Sequence, residues 1–148
     1  MKGRTTVKVK PIVSRELPDV IRVWKESGLS YRPTGRDNPA RLRKQLRENP
    51  GYFLAAYANG EMVAVALITD DGRKGWINRL AVLPKYRRKG VALSLIRASE
   101  DVLRKKGIHL FCVNIEGDNE ESKELFEKAG YVFESDILYF TKRERKDY

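Results

Sequence analysis

The run Leu80-Ala81-Val82-Leu83-Pro84-Lys85-Tyr86-Arg87-Arg88-Lys89-Gly90-Val91-Ala92 carries the residue types that hold an anion. A β-prone segment feeds a basic, glycine-containing turn, and a helical period begins directly after it. The first turn of a helix presents unpaired N–H groups and about half a positive charge. Gly90 and Ala92 leave room for a phosphate to approach the backbone, and Arg87, Arg88 and Lys89 surround it with charge. No Gly-Lys-Ser/Thr follows, so the turn is not a Walker loop. A generic basic turn before a helix has the same spacing, and from these residues alone both readings stand.

The elements that must position this turn can be read from period and punctuation. Thr5 to Val13 alternates as a half-exposed strand ending near Pro11, after which Ser14 can cap a helix over Glu16 to Glu26 with Leu17, Val20, Ile21 and Trp24 on one face and Gly28 as its stop. Gly28 to Asn38 is a non-periodic loop. Asn38 and Pro39 open a second helix through Leu42 and Leu46 that stops by Asn49-Pro50. Tyr52 to Ala58 and Glu61 to Thr69 form a hairpin about Asn59-Gly60, and Asp70-Asp71-Gly72 returns the chain into a third strand, Gly75 to Leu83. Met62 to Ile68 is apolar on both alternating faces, which puts that strand at the centre of the sheet. Ala92, Leu95, Ile96, Ser99, Val102 and Leu103 trace a helix that Gly107 ends before a β-prone run, Ile108 to Ile115. Strand, turn, helix and strand make a βαβ unit with parallel flanking strands. Asn119 caps a short helix with Ser122, Leu125, Phe126 and Ala129 inward, and Tyr131 to Phe140 supplies one or two last strands. Lys142 to Tyr148 reads as a frayed basic tail.

Length and composition narrow the class. The 148 residues suit one domain spanning 1–148. No run approaches the roughly 18 apolar residues of a membrane span, and Met1 to Thr5 lacks a signal-like apolar block, so a cytoplasmic protein without membrane contact is expected. One cysteine, Cys112, and one histidine, His109, leave neither a disulfide nor a Cys/His zinc site. The net charge of +10 is clustered at Arg36 to Arg47, Lys85 to Lys89, Arg104 to Lys106 and Lys142 to Lys146. An anionic partner explains it; so does solvated surface in a heat-adapted composition with a single glutamine, Gln45.

At Leu80-Ala81-Val82-x-Pro84-x-Tyr86-Arg87-Arg88-Lys89-Gly90-Val91-Ala92 the chain resembles the GNAT acetyltransferase superfamily, whose cofactor motif is Arg/Gln-x-x-Gly-x-Gly/Ala after a Leu-Ala-Val strand. Asn119-x-x-Ser122-x-x-Leu125-Phe126-Glu127-Lys128-Ala129-Gly130-Tyr131 is similar to the family's second motif, and the Leu29 to Pro39 loop is similar to that of small prokaryotic members. The resemblance covers nearly the whole chain. It implies an α/β (α+β) single-domain fold, with a mixed, mostly antiparallel sheet of six to seven strands, about four helices and a splayed parallel strand pair at the cofactor cleft. It also implies acetyl-CoA as co-substrate with no metal, direct acetyl transfer to a small-molecule or peptide amine in a ternary complex, and a homodimer as one assembly state.

Residue by residue, the resemblance implies that Leu80, Ala81 and Val82 pair with the pantetheine arm, that amides from Arg88 through Lys89, Gly90, Val91, Ala92 and Leu93 hold the pyrophosphate beside Arg87, and that the Val82 amide stabilises the oxyanion. Asn119 either contacts pantetheine or only caps its helix. The general acid is where the chain departs from the family: Phe126 stands at the position of the motif tyrosine and packs beside the cofactor or in the core. Asn78 and Asn114 occupy positions where relatives carry a glutamate base. Remaining candidates are Glu116 and Asp118 beside the cleft as bases and Tyr139 on the last strand as an acid. Cys112 reads as a packed thiol, and His109 as an edge residue. Tyr31, Arg32, Arg36 and Asp37 lie in the loop expected to shape the acceptor pocket. A CoA-binding regulator of the same fold would share these features without turnover. A nucleic-acid-binding domain would explain the charge but not the order of the motifs.

Overall fold

Asn59 and Gly60 take φ angles of 51° and 79°, the left-handed pair that a two-residue hairpin turn demands, and they join β2 (Phe53–Ala58) to β3 (Glu61–Asp70). The computed structural model describes residues 5–148. Around this hairpin the chain adds β1 (Lys8–Pro11), a 3-10 turn at Ser14–Glu16, α1 (Leu17–Ser27) and α2 (Pro39–Glu48) before it. After it come β4 (Gly75–Val82), a 3-10 turn at Pro84–Tyr86, α3 (Val91–Lys105), β5 (Phe111–Cys112) and α4 (Glu120–Lys128). The sheet runs β1-β2-β3-β4-β5 in space. Its neighbours are antiparallel except β4 and β5, which are parallel as the crossover through α3 requires.

Burial follows the sequence pattern. Met62 to Ile68 of β3 are buried at every position, which needs cover on both faces, and α1 and α3 both pack on this strand. Leu17, Val20, Val23 and Trp24 form the inner stripe of α1; Val23 is buried where Ile21 was expected, and Ile21 is half-buried. Val91, Leu95, Ile96, Ser99 and Leu103 form that of α3. Gly75 has no room for a side chain, because a Cβ there would overlap Leu103. The caps are as read: Gly28 closes α1 at φ 85°, and Asn38 Oδ1 accepts from the Ala40 amide at 2.9 Å ahead of Pro39. Ser14 instead opens the short 3-10 turn, where Glu16 accepts from the Val13 amide.

Three expectations fail at the C-terminal side. The sheet has five strands, not six or seven, because only Phe111 and Cys112 of the Ile108 to Ile115 run are paired and Tyr131 to Phe140 forms no strand. β-propensity expresses fit to a pleated neighbour, and these residues have none: Val132, Phe133, Ile137, Leu138, Tyr139 and Phe140 are 71–86% exposed. The tail, by contrast, is not frayed. Arg145 donates to the Thr34 carbonyl at 3.2 Å, Lys146 O accepts from Arg32, and Tyr148 meets Arg41. A Cβ at Gly35 would collide with the Asp147 carbonyl, so glycine there is what lets the tail lie down.

Three tyrosines tie elements together by donating to carboxylates: Tyr52 to Asp70, Tyr57 to Glu16, and Tyr131 to Glu100 at 2.8 Å. Burial first, and then the adjacent carboxylate, pushes each phenol above its ordinary value of about 10. The folded state therefore keeps protons that the unfolded chain releases, so stability is full below about pH 10 and falls as pH rises beyond it. Thermal unfolding followed from pH 8 to 11 should show Tm dropping above pH 10, and Tyr131→Phe should make that drop shallower.

Candidate functional site

β4 and β5 pair only at Gly75–Phe111 and Trp76–Cys112, with Gly75 N donating to Leu110 O at 2.9 Å. Beyond Trp76 the strands part, and the β5-facing edge of β4 from Ile77 to Val82 has no strand beside it. This is the splayed cleft that the resemblance implied. Leu80 and Asn78 line β4 half-buried, and Ala81 and Val82 are buried.

The direction of the Val82 amide is set by a bulge. On β3, Leu67 and Val65 are two positions apart; their partners on β4, Asn78 and Ala81, are three apart. One extra residue in β4 reverses the alternation of its N–H groups. Gly75 points its amide to β5, and alternation would carry Ile77 the same way; after the bulge it is Leu83 that points to β3, donating to Val63 O at 2.9 Å. Val82, one residue earlier, therefore aims its N–H into the cleft.

Arg79 makes this bulge, at a φ of 54° that non-glycine residues seldom adopt. Its side chain explains how the conformation is held. The guanidinium donates to the Ser30 carbonyl at 2.6 Å, lies 3.4 Å from Asp37 Oδ2, and stacks 4.3 Å from the Trp24 ring. Asp37, itself buried, also accepts from the Arg32 amide at 2.8 Å. Burial lowers the Arg79 pKa, against the pull of Asp37. Arg79 was not among the residues singled out from the sequence; the only trace was Asp37, a lone acid between Arg36 and Asn38 in a basic loop. The two together pin the Gly28–Asn38 loop to the strand beneath it.

At the other end of the cleft lies the basic turn that opens α3. Arg88 and Gly90 have φ of 60° and 82°, and Gly90 caps α3 without a side-chain bond. The first helical bond runs from Ser94 N to Gly90 O at 3.1 Å, so the amides of Val91, Ala92 and Leu93 have no partner within the helix. Arg87 is used differently from what its position suggested: Nε donates to Val82 O at 3.1 Å and Nη2 to Ser27 O at 2.8 Å, tying the turn to the ends of β4 and α1. Arg88 is exposed, and Lys89 half-buried over Tyr86.

The remaining candidates divide. Asn119 Oδ1 accepts from Ser122 N at 3.0 Å and so acts as a helix cap. Phe126 is a core residue, 3% exposed and edge-on to Tyr131. Asn114, Glu116 and Asp118 are exposed on the β5–α4 connection, and Asn78 donates to Thr69 Oγ1 at 2.9 Å. Tyr139, 75% exposed, lies outside the sheet. Cys112 is half-buried with its thiol pKa raised by burial, and His109 is exposed. Arg32, through its contact with Lys146 O, holds the tail against the Gly28–Asn38 loop.

The comparisons agree with this geometry. The model of the acetyltransferase (GNAT) family matches residues 17–131. The chain therefore belongs to the GNAT acetyltransferase family. It is 30% identical over 128 residues to Acetyltransferase SG1711 of Sodalis glossinidius (strain morsitans), covering 86% of this chain and 89% of that protein. Its fold is similar to that of the PaiA N-acetyltransferase of Thermoplasma acidophilum in complex with coenzyme A, at TM-score 0.78 and 19% identity over 90% of this chain and 94% of that one. It is also similar to AAC(6')-Iy in complex with a CoA-based bisubstrate analogue, at TM-score 0.75 and 18% identity over 94% and 99% of the two chains. Among the described residues no helix is long and apolar enough to cross a membrane.

Arg79 gives a direct test of the bulge. Arg79→Ala removes the contacts to Ser30, Asp37 and Trp24 while leaving a strained φ, and should lower stability by about 2–3 kcal/mol in urea unfolding. Arg79→Gly removes the same contacts and relieves the strain, and should recover about 1 kcal/mol of that loss.

Proposed function

We propose that the protein transfers an acetyl group from acetyl-CoA to an amine by direct attack, with the Val82 amide as the donor to the thioester carbonyl oxygen. The single observation that supports this reading is the bulge in β4, which turns that amide into the gap where β4 and β5 separate. The residues present fit the nucleotide-bearing co-substrate. An extended pantetheine arm can run along the unpaired edge of β4, and a diphosphate suits the three free amides of Val91 to Leu93 at the positive end of α3. Arg88 adds charge from its exposed position, and Arg87 holds the turn against β4.

Acetyl-CoA supplies an activated thioester. The amine nitrogen forms the new C–N bond to the acetyl carbon as the C–S bond breaks; one proton leaves the amine and one reaches the departing sulfur. A single backbone donor to the carbonyl oxygen contributes about 3 kcal/mol of barrier lowering, and alignment of the two substrates contributes further. With Phe126 in the core and Asn78 and Asn114 at the strand positions, none of these three residues can take up or supply a proton at the gap. Glu116 and Asp118 are exposed on the connection that follows β5, and the amine is deprotonated by water or by one of these. The acceptor enters between the Gly28–Asn38 loop and the open strand edge.

Two measurements test this. Free-thiol release from acetyl-CoA with a panel of amines should be amine-dependent, and for each active amine kcat/KM should rise with unit slope toward that amine's own pKa, because the missing base leaves only the neutral amine competent. Thiol release without any amine, or a plateau near pH 7 shared by all amines, would contradict it. Gly90→Glu places a carboxylate at the α3 terminus on a left-handed φ; CoA binding by calorimetry should weaken at least about tenfold, equivalent to 1.4 kcal/mol.

A further inference from the structure

From Gly28 to Arg47, across the loop after α1 and all but the last residue of α2, the chain carries six basic residues and one acid, Asp37. That acid is already committed. Its Oδ2 accepts from the Arg32 amide at 2.8 Å and lies 3.4 Å from Arg79 Nη2. Asp147, whose backbone the tail brings against Gly35, is held by Arg145. Three guanidiniums therefore share one carboxylate: Arg79 beneath the loop on β4, Arg32 at the start of the turn, and Arg36, exposed and in no ion pair among the described residues. The Arg79 pKa is lowered by burial first, with Arg36 and Arg32 pushing the same way and Asp37 opposing them. Like charges gathered in this way repel until an anion joins them.

Their hydrogen bonding is incomplete as well. A guanidinium offers five N–H donors and no acceptor. Arg32 uses only Nη1, on Lys146 O at 2.9 Å, and Arg79 only Nη2, on Ser30 O and Asp37. Nε of both is buried without a partner, a condition that folded proteins rarely leave unmet. Two planar forks with spare donors, where positive charge is uncompensated, suit an oxyanion that accepts paired N–H···O bonds. Arg79 precedes Val82 by three residues on β4, roughly 10 Å at about 3.3 Å per residue. One small molecule can span that distance.

We propose that the amine acceptor also carries an oxyanion, a carboxylate or a phosphate, which Arg32 and Arg79 receive at the Gly28–Asn38 loop and which Arg36 attracts from solvent. The inference rests on the acetyl-transfer reading above and adds the chemical class of its acceptor. It also disfavours the opposite class. A polycationic amine would meet the three arginines with only Asp37 to offset them.

Thiol release from acetyl-CoA separates these classes when ω-amino carboxylates of graded chain length and ω-aminoalkyl phosphates are set against the matching carboxamides and diamines, each rate corrected for its fraction of neutral amine. At least one oxyanion-bearing amine should exceed its carboxamide by more than about tenfold in kcat/KM, and the diamines should fall below the carboxamides. The advantage should shrink between 50 and 500 mM NaCl. Whether carboxylates or phosphates lead identifies the oxyanion. Arg36→Gln, a change at an exposed side chain, should raise KM for that acceptor at least about threefold with kcat unchanged. Arg32→Gln should raise it at least about tenfold and leave KM for the carboxamide as it was, and Arg32→Lys should recover part of the loss; a merely structural role would move both acceptors alike. Equal kcat/KM for oxyanion and carboxamide, a preference for diamines, or an equal loss on both acceptors in Arg32→Gln and Arg36→Gln would each overturn the proposal and leave acetyl transfer standing. No thiol release with any amine would remove that underlying reading as well.

Discussion

One added residue in β4 organises the rest. Without it the alternation of the strand would turn Val82 toward β3 and leave Leu83 facing the gap; with it, Leu83 pairs inside the sheet and Val82 faces outward. A bulge of this kind needs a residue at positive φ, and the chain places Arg79 there instead of glycine. The backbone strain is offset by what the arginine reaches: the Ser30 carbonyl in the loop after α1, a buried aspartate, and the face of Trp24. The same contacts hold the Gly28–Asn38 loop, so the direction of the Val82 amide and the placement of that loop are set together. An uncharged residue at 79 would separate the two.

The second constraint is the helix start. Gly90 closes the turn in a conformation open to glycine and leaves the α3 amides without a side-chain cap. A capping serine or aspartate would stabilise the helix and fill the place a phosphate would take. Local stability is thus given up where a ligand can restore it. Arg87 shows the complementary economy: its charge is placed on two backbone carbonyls that fix the turn, and Arg88 is left exposed.

Much of this was legible in the sequence, and the boundary has a physical explanation. Hairpin, central strand, caps and the α3 stripe are local or periodic signals, and Asn59-Gly60, Met62 to Ile68, Asn38-Pro39 and Leu95 to Leu103 express them directly. The turn ahead of α3 was legible because residue type and helix period change together at Gly90. Arg79 was hidden. A bulge is a register fact that involves two strands, and an arginine at positive φ has no signature along the chain. The C-terminal arms were misread because Tyr131 to Phe140 has every local mark of a strand, whereas a strand exists only where an edge meets it. The anchoring of Lys142 to Tyr148 depends on Gly35 and Thr34, more than a hundred residues away in sequence, and no local rule reaches that far. Phe126 was left between cleft and core, and the structure puts it in the core.

The most direct test of the account is amide-resolved hydrogen exchange across residues 80–83, with and without CoA. In the free protein the Leu83 amide should be protected by its bond to Val63, and the Val82 amide should exchange rapidly; adding CoA should protect Val82 and the amides of Val91 to Leu93. If Val82 is already protected in the free protein, or stays unprotected when CoA is bound, then the bulge does not aim that amide at the ligand and the account is wrong.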